Sequence, residues 1–149
     1  MTLSIKAYEP VGTVSDNVWG MMEMPSRGLQ LQQRVHQGLP IVFYKRLAAI
    51  LDIPETRLRQ YLCIAPSAFS RRAAAGRLNT IESDRLCSLV GALDAAYSLF
   101  ENDLGLAREW MRSPAIGLGS RPPLEMMKSR VEAQAVVDLI GRLENGLFT

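Results

Sequence analysis

The segment PETRLRQYLCIAPSAFSRRAAAGRLN (residues 54–79), followed by TIESDRLCSLVGALDAAYSLF (residues 80–100), decides the fold of this 149-residue chain. Pro54 and Pro66 each suit the first turn of a helix, where a missing N–H leaves no hydrogen bond unmade. Gly76 can end the second helix in a left-handed cap. Asn79 and Glu82 have the spacing of a capping box, which predicts the start of a long helix. The segment therefore predicts two short helices and one long helix joined by tight turns.

Apolar residues at helical spacing extend this pattern to both sides of the segment. From Ile41 to Leu51 they recur at i, i+3, i+4 and i+7, which predicts one more helix upstream. Downstream, the spacing predicts a helix that ends before Pro114, a bend rich in glycine and proline over residues 117–123, and a final helix over about residues 131–144. No stretch alternates between apolar and polar residues as a half-buried strand does. The predicted fold is therefore all-α.

Short helices joined by a tight turn are typical of a helix-turn-helix, whose second helix lies in the major groove of DNA. Two registers fit the sequence. The first pairs the helix from Ile41 with the helix from Pro54, and leaves Arg57, Arg59 and Gln60 to contact DNA.

The second register pairs the helix from Pro54 with the helix from Pro66. We favour it because its second helix is short, polar on one side and closed by Gly76. The turn of the first register, by contrast, has Asp52 where a small residue is usual. The DNA-contacting residues that the second register predicts are Ser67, Ser70, Arg71, Arg72 and Arg77.

Arginine dominates the basic residues of the chain, although the formal net charge is only +2. The planar guanidinium group suits phosphate oxygens and guanine edges. Arg71 and Arg72 are adjacent in a helix and so point about 100° apart, which suits one for a base and the other for a phosphate. The same arginines could instead form a solvated helix face paired with carboxylates.

We expect three regions along the chain: an N-terminal arm, partly irregular, over residues 1–38, a helix-turn-helix domain with a long connecting helix over residues 39–101, and a small helical domain over residues 102–149. No apolar run approaches the length of a membrane span, and the N-terminus lacks the apolar core of a secretory signal, so we expect a cytoplasmic protein. Cys63 and Cys87 lie far apart and His36 is the single histidine, so no metal site is indicated. Without a paired nucleophile or a phosphate-binding loop, neither an enzyme nor a cofactor is predicted.

The chain resembles the Xre/MbcA/ParS family of antitoxins, the partners of RES-domain toxins, over about residues 40–148. One part of the resemblance is carried by Arg71-Arg72, Gly76-Arg77-Leu78 and Glu82-Ser83-Asp84-Arg85-Leu86. The other part is carried by Trp110, Pro114, Leu118-Gly119, Arg121, Pro123-Leu124, Val136, Leu139 and Gly141-Arg142-Leu143-Glu144-Asn145-Gly146. The chain departs from the family pattern at Ala65 and Ala68, where a capping Ser and a Thr are usual, at Ser120, where the bend has a second glycine, and at Glu132, where a glycine is common.

The resemblance implies an Xre/Cro-like helix-turn-helix bundle followed by a toxin-binding domain. It also implies that the protein covers the active site of an NAD-consuming toxin and represses its own operon. For toxin binding we expect the exposed Arg121 and the end of the final helix to matter most, together with the apolar chain end. The predicted toxin-binding residues are Arg121, Leu139, Arg142, Leu143, Glu144 and Phe148.

The partners expected on this interpretation are a cognate RES-domain toxin, operator DNA and a second copy of the chain, with no membrane. Dimerisation is expected because a single small helix-turn-helix reads few base pairs, and paired half-sites raise the affinity. The alternative is a stand-alone helix-turn-helix repressor whose C-terminal domain only dimerises.

Overall fold

A computed structural model describes residues 17–25 and 28–146, which form an all-α fold without strands in these two ranges. Eight α-helices follow one another in the described residues: α1 Val18–Met22, α2 Leu29–Gln37, α3 Ile41–Leu51, α4 Glu55–Tyr61, α5 Pro66–Ala75, α6 Thr80–Leu99, α7 Leu104–Arg112 and α8 Arg130–Glu144. Between α7 and α8 lie a first 3-10 turn, Ile116–Leu118, and a second 3-10 turn, Pro123–Met126. The all-α prediction is confirmed.

The local signals in residues 54–82 act as expected. Pro66 occupies the first turn of α5, and Gly76 ends that helix with a φ of 78°. The Asn79 side chain accepts a hydrogen bond from the Glu82 N–H at 2.8 Å, while Glu82 Oε1 accepts one from the Asn79 N–H at 3.0 Å. This reciprocal pair satisfies two N–H groups that the first turn of α6 would otherwise leave unpaired.

Helix α6 is the central element of the fold and packs against α1, α2, α7 and α8. Its buried apolar side chains are Leu86, Leu89, Val90, Ala92, Leu93, Ala96 and Tyr97. A single apolar cluster includes residues of both the N-terminal and the C-terminal helices. A further link joins the two halves of the chain, because Arg108 Nε on α7 donates to the Ile50 carbonyl at the end of α3 at 2.6 Å.

Part of the predicted N-terminal arm is helical. Residues 1–16, 26 and 27 lie outside the described residues, and the prediction of a partly irregular arm stays a prediction, but α1 and α2 are helices that the sequence pattern did not indicate. The Val18 N–H donates to Asp94 on α6 at 2.9 Å, and Val18 and Met22 are fully buried. Arg46 on α3 donates to the Met22 carbonyl at 2.6 Å. Tertiary contacts of this kind have no signature in a five-residue helix, which is too short to show a 3.6-residue period.

None of the helices in the described part of the chain combines the length and the apolar character needed to cross a membrane.

Candidate functional sites

Helix α5 presents one polar face to solvent. Ser67, Ser70, Arg71 and Ala74 are exposed and follow the i, i+3, i+4, i+7 spacing of a single helix face. Opposite this face, the Phe69 ring contacts the Tyr44 ring of α3, with centroids 4.8 Å apart. Within the described ranges, the Arg71 side chain has no hydrogen bond or ion pair, so its guanidinium group is available to a ligand.

Arg72 points away from this face and contacts the start of α6. Its Nε lies 2.8 Å from Glu82 Oε1, and the two side chains are 23% and 7% exposed. Glu82 Oε1 also accepts a hydrogen bond from the Asn79 N–H. The same carboxylate therefore binds Arg72 of α5 and completes the capping box at the start of α6. The DNA contact predicted for Arg72 stays a prediction, but the 100° turn between Arg71 and Arg72 directs the Arg71 guanidinium group to solvent and the Arg72 guanidinium group towards Glu82.

The segment that follows α5 is clamped against the linker between α2 and α3. The Leu78 N–H donates to the Leu39 carbonyl and the Ile41 N–H donates to the Gly76 carbonyl, each at 2.9 Å. Arg77, predicted to contact DNA, is exposed overall and donates from Nη1 to the Gly38 carbonyl. One N–H group of its guanidinium group is therefore used to hold this segment against the linker.

Gly38 makes this clamp possible. Its φ is 90°, and a Cβ atom at this position would lie 2.1 Å from the Leu78 carbonyl oxygen. A contact that short cannot be relieved by a side-chain rotation, because the carbonyl oxygen is a backbone atom of the clamped segment. Sequence reasoning missed this glycine as a positioning residue.

Both candidate helix-turn-helix registers have a left-handed, non-glycine residue in the turn. Asp52 and Cys63 each have a φ of 57°. The residue at position 52 therefore does not separate the two registers. The arginines of α4 differ from Arg71, because Arg57 donates to the Tyr61 hydroxyl at 2.8 Å and Arg59 to the Ile64 carbonyl at 2.9 Å.

The predicted toxin-binding residues fall into two groups along α8. Near its start, Arg121 Nη2 lies 2.9 Å from Glu132 Oε2, and both side chains remain partly exposed. Near its end, Leu139 is 4% exposed and Leu143 is half-buried, while Glu144 is exposed. About seven residues of helix, or roughly 10 Å, separate the two groups.

Two further predicted residues at this end of the chain have distinct positions. Arg142 is half-buried, and its Nε atom is buried without a hydrogen-bond partner in the described part of the structure. An unsatisfied charged donor of this kind is costly in a folded protein. Phe148 lies outside the described residues, as does the chain-terminal carboxylate.

An apolar groove of about 400 Å³ runs between α7, the first 3-10 turn and α8. Its lining residues are Trp110, Pro114, Ala115, Ile116, Gly117, Leu139 and Leu143. Ile116 is one of these lining residues and is itself 92% exposed, so it marks the edge of the groove. Sequence reasoning missed Ile116, although a large apolar residue isolated between Pro114 and Gly117 is a signal for it.

The two cysteines have different surroundings. Cys63 is exposed, whereas burial, with a smaller effect of the nearby Asp84 carboxylate, raises the pKa of the Cys87 thiol to about 12. No cluster of three His, Cys, Asp or Glu residues that could hold a metal ion occurs among the described residues.

Comparison with known proteins matches both halves of the chain. Residues 30–91 match the antitoxin Xre-like helix-turn-helix domain, and residues 95–146 match the antitoxin Xre/MbcA/ParS C-terminal toxin-binding domain. An antitoxin Xre of Yersinia enterocolitica is 33% identical over 148 residues, which cover 97% of this chain and all of that protein. An antitoxin Xre of Photorhabdus laumondii is 29% identical with the same coverage. The chain belongs to the Xre/MbcA/ParS family of antitoxins.

Proposed function

We propose that the protein neutralises a RES-domain, NAD-consuming toxin by covering its active site, and represses its own operon by binding DNA through α5. One observation carries the proposal: the chain combines two surfaces. The first is α5, which is anchored to α6 and exposes Arg71, and the second is the open apolar groove of the C-terminal region. On this account the protein acts in the cytoplasm, where its operator DNA lies, and contributes binding rather than chemistry.

The end of α8 supports the toxin-covering part of the proposal. An enzyme that binds a dinucleotide needs positive charge near the pyrophosphate, so an acidic group on the antitoxin suits the mouth of its site. Glu144 is exposed in the last turn of α8, next to the half-buried Leu143. This turn offers one carboxylate beside an apolar side chain, and Phe148, which follows in the sequence, is also predicted to bind the toxin. Inhibition is then steric occupation of the site.

A truncation tests this part directly. A chain that stops after Arg142 should lose protection against the toxin and keep its DNA binding, because α5 and its supports remain. A truncated chain that still neutralises the toxin would exclude the covering role of the chain end.

A charge reversal isolates the contribution of the carboxylate. Glu144→Lys should weaken neutralisation. Glu101→Lys is the matched control, because Glu101 is also exposed but lies in the turn after α6. Equal neutralisation by both variants would mean that the acidic end of α8 does not face the toxin.

The exposed face of α5 supports the DNA-binding part of the proposal. Ser67, Ser70 and Arg71 lie on one face, which suits base and phosphate contacts in a major groove. We infer that α4 and α5 form the helix-turn-helix, with a homodimer binding two half-sites. Because each arginine that binds a phosphate releases counterions, Arg71→Gln should reduce the slope of log affinity against log salt by about 0.9 for every phosphate that Arg71 neutralises in each protomer.

A titration of operator DNA that shows no salt dependence at all would refute phosphate binding by this protein. The stand-alone repressor is disfavoured, because residues 95–146 match a toxin-binding domain.

A further inference from the structure

We propose that the apolar groove between α7 and α8 receives an apolar side chain of the toxin, while Ile116 inserts into the toxin in return; this inference rests on the proposed function. The groove holds about 400 Å³, which is ample for a large aliphatic or aromatic side chain. Its walls come from Trp110 on α7 and from Leu139 and Leu143 on α8.

The edge of the groove is held rigidly by hydrogen bonds in its backbone. The Ala115 N–H donates to the Arg121 carbonyl at 3.2 Å, and the Ser120 N–H donates to the Ala115 carbonyl at 2.9 Å. Gly119 and Ser120 take left-handed φ values of 68° and 62°, which reverse the chain. Ile116 is thus presented by a closed loop, and little conformational entropy is lost when it is buried by a partner.

The position of Ile116, together with its exposure, indicates a binding surface. Scattered exposed apolar residues are normal on protein surfaces. Ile116, however, is 92% exposed and lies on the edge of an apolar groove. A projecting apolar side chain and an apolar groove are therefore adjacent on this surface. Central apolar anchors that fill pockets on the partner dominate the energetics of many protein interfaces.

The positive charge of Arg142 favours a negatively charged residue on the toxin, next to the apolar side chain that enters the groove. Arg142 lies about 60° from Leu139 around α8, on the flank of the groove. Its side chain is half-buried and has no hydrogen bond or ion pair among the described residues, so the exposed part of its guanidinium group would attract a carboxylate of the toxin that approaches this flank. The occupant we infer is an apolar side chain next to an Asp or Glu of the toxin.

The groove is assigned to the toxin because every residue that lines it falls within residues 95–146, the segment that matches a toxin-binding domain. It shares no lining residue with α5, so DNA contact through α5 and toxin contact through the groove use separate surfaces.

The test measures the affinity of the intact 149-residue chain for the proposed cognate RES-domain toxin. Ile116→Asp should weaken binding roughly ten- to hundredfold, the change expected when one large aliphatic side chain is no longer buried. Ala115→Phe should weaken it in the same direction by filling the groove. Ile81→Asp is the matched control, because Ile81 is 63% exposed on α6, lies outside residues 95–146 and lines no part of this groove, and it should leave the affinity within about twofold.

The outcomes separate this inference from the function on which it rests. A wild-type chain that does not bind the toxin contradicts the proposed function itself. A wild-type chain that binds, together with an Ile116→Asp variant of equal affinity, overturns the groove alone. If Ile116→Asp instead dissociates a homodimer in sedimentation experiments without changing toxin affinity, the groove is an interface between two copies and the inference is also overturned.

Discussion

Replacement of Arg72 by Gln tests whether this arginine contacts DNA or holds α5 in place. In the structure its Nε donates to Glu82, which is only 7% exposed, and the substitution removes the charged partner of that carboxylate. A hydrogen bond to a charged group contributes about 1.5–3 kcal/mol, and Glu82 keeps its second hydrogen bond, from the Asn79 N–H. We therefore expect the free energy of unfolding to fall by about 1.5–3 kcal/mol, which lowers the melting temperature by roughly 3–12 °C for a chain of this size.

The DNA-binding assay distinguishes the two roles. If Arg72 only positions α5, Arg72→Gln weakens operator binding but leaves the slope of log affinity against log salt unchanged, because the same phosphates stay neutralised. Arg71→Gln is the matched control, and it should reduce the slope by about 0.9 for each phosphate that Arg71 binds. Fluorescence anisotropy of a labelled operator over a range of salt concentrations gives both slopes.

A second substitution completes this test. The double variant Arg72→Gln with Glu82→Gln replaces the ion pair by two amides that can still hydrogen-bond, so it should recover part of the stability lost in the single variant. An Arg72→Gln chain with wild-type stability and a slope reduced as much as that of Arg71→Gln would refute the positioning role.

Three further predictions concern the clamp and the thiols. Gly38→Ala should destabilise the fold by at least about 2 kcal/mol, because the new Cβ meets the Leu78 carbonyl oxygen at 2.1 Å, whereas Gly141→Ala, in a helix with open space around it, should raise the melting temperature; equal melting temperatures for both variants would contradict the clamp. In the native protein at pH 8, brief alkylation followed by mass spectrometry should label the exposed Cys63 and largely spare Cys87, whose thiol is half-buried and has a raised pKa; equal labelling of both would contradict this difference. Because the pKa of Cys87 is raised from 9.0 to about 12, the folded state holds this proton more tightly, so its contribution to stability is complete below pH 9 and is lost as the pH rises towards 12; a Cys87→Ala variant with the same loss over this window would contradict that assignment.

The elements from α3 to α8 could be predicted from sequence because each carries a local signal. Pro66 and Gly76 delimit α5, the capping box of Asn79 and Glu82 begins α6, and apolar spacing identifies the buried faces. These signals act over one or two helical turns and are readable without tertiary information.

The features that the sequence did not reveal depend on residues far apart in the chain. Helix α1 is held by a contact between Val18 and Asp94, which are 76 residues apart. The 100° offset between Arg71 and Arg72 follows from their adjacent positions in a helix. Which of the two faces solvent depends on the Glu82 carboxylate, which lies in another helix. Gly38 contacts a carbonyl that only the folded clamp brings near. The groove at Ile116 likewise exists only after α7 and α8 have packed.

The most direct test of the central claim is co-expression of the chain with the RES-domain toxin, followed by isolation of the complex and measurement of NAD in the same cells. We predict that the full-length chain copurifies with the toxin and keeps NAD at the level of cells without toxin, whereas the chain that stops after Arg142 does not protect NAD. Failure of the full-length chain to copurify, with NAD depleted as in cells that express the toxin alone, would contradict the account.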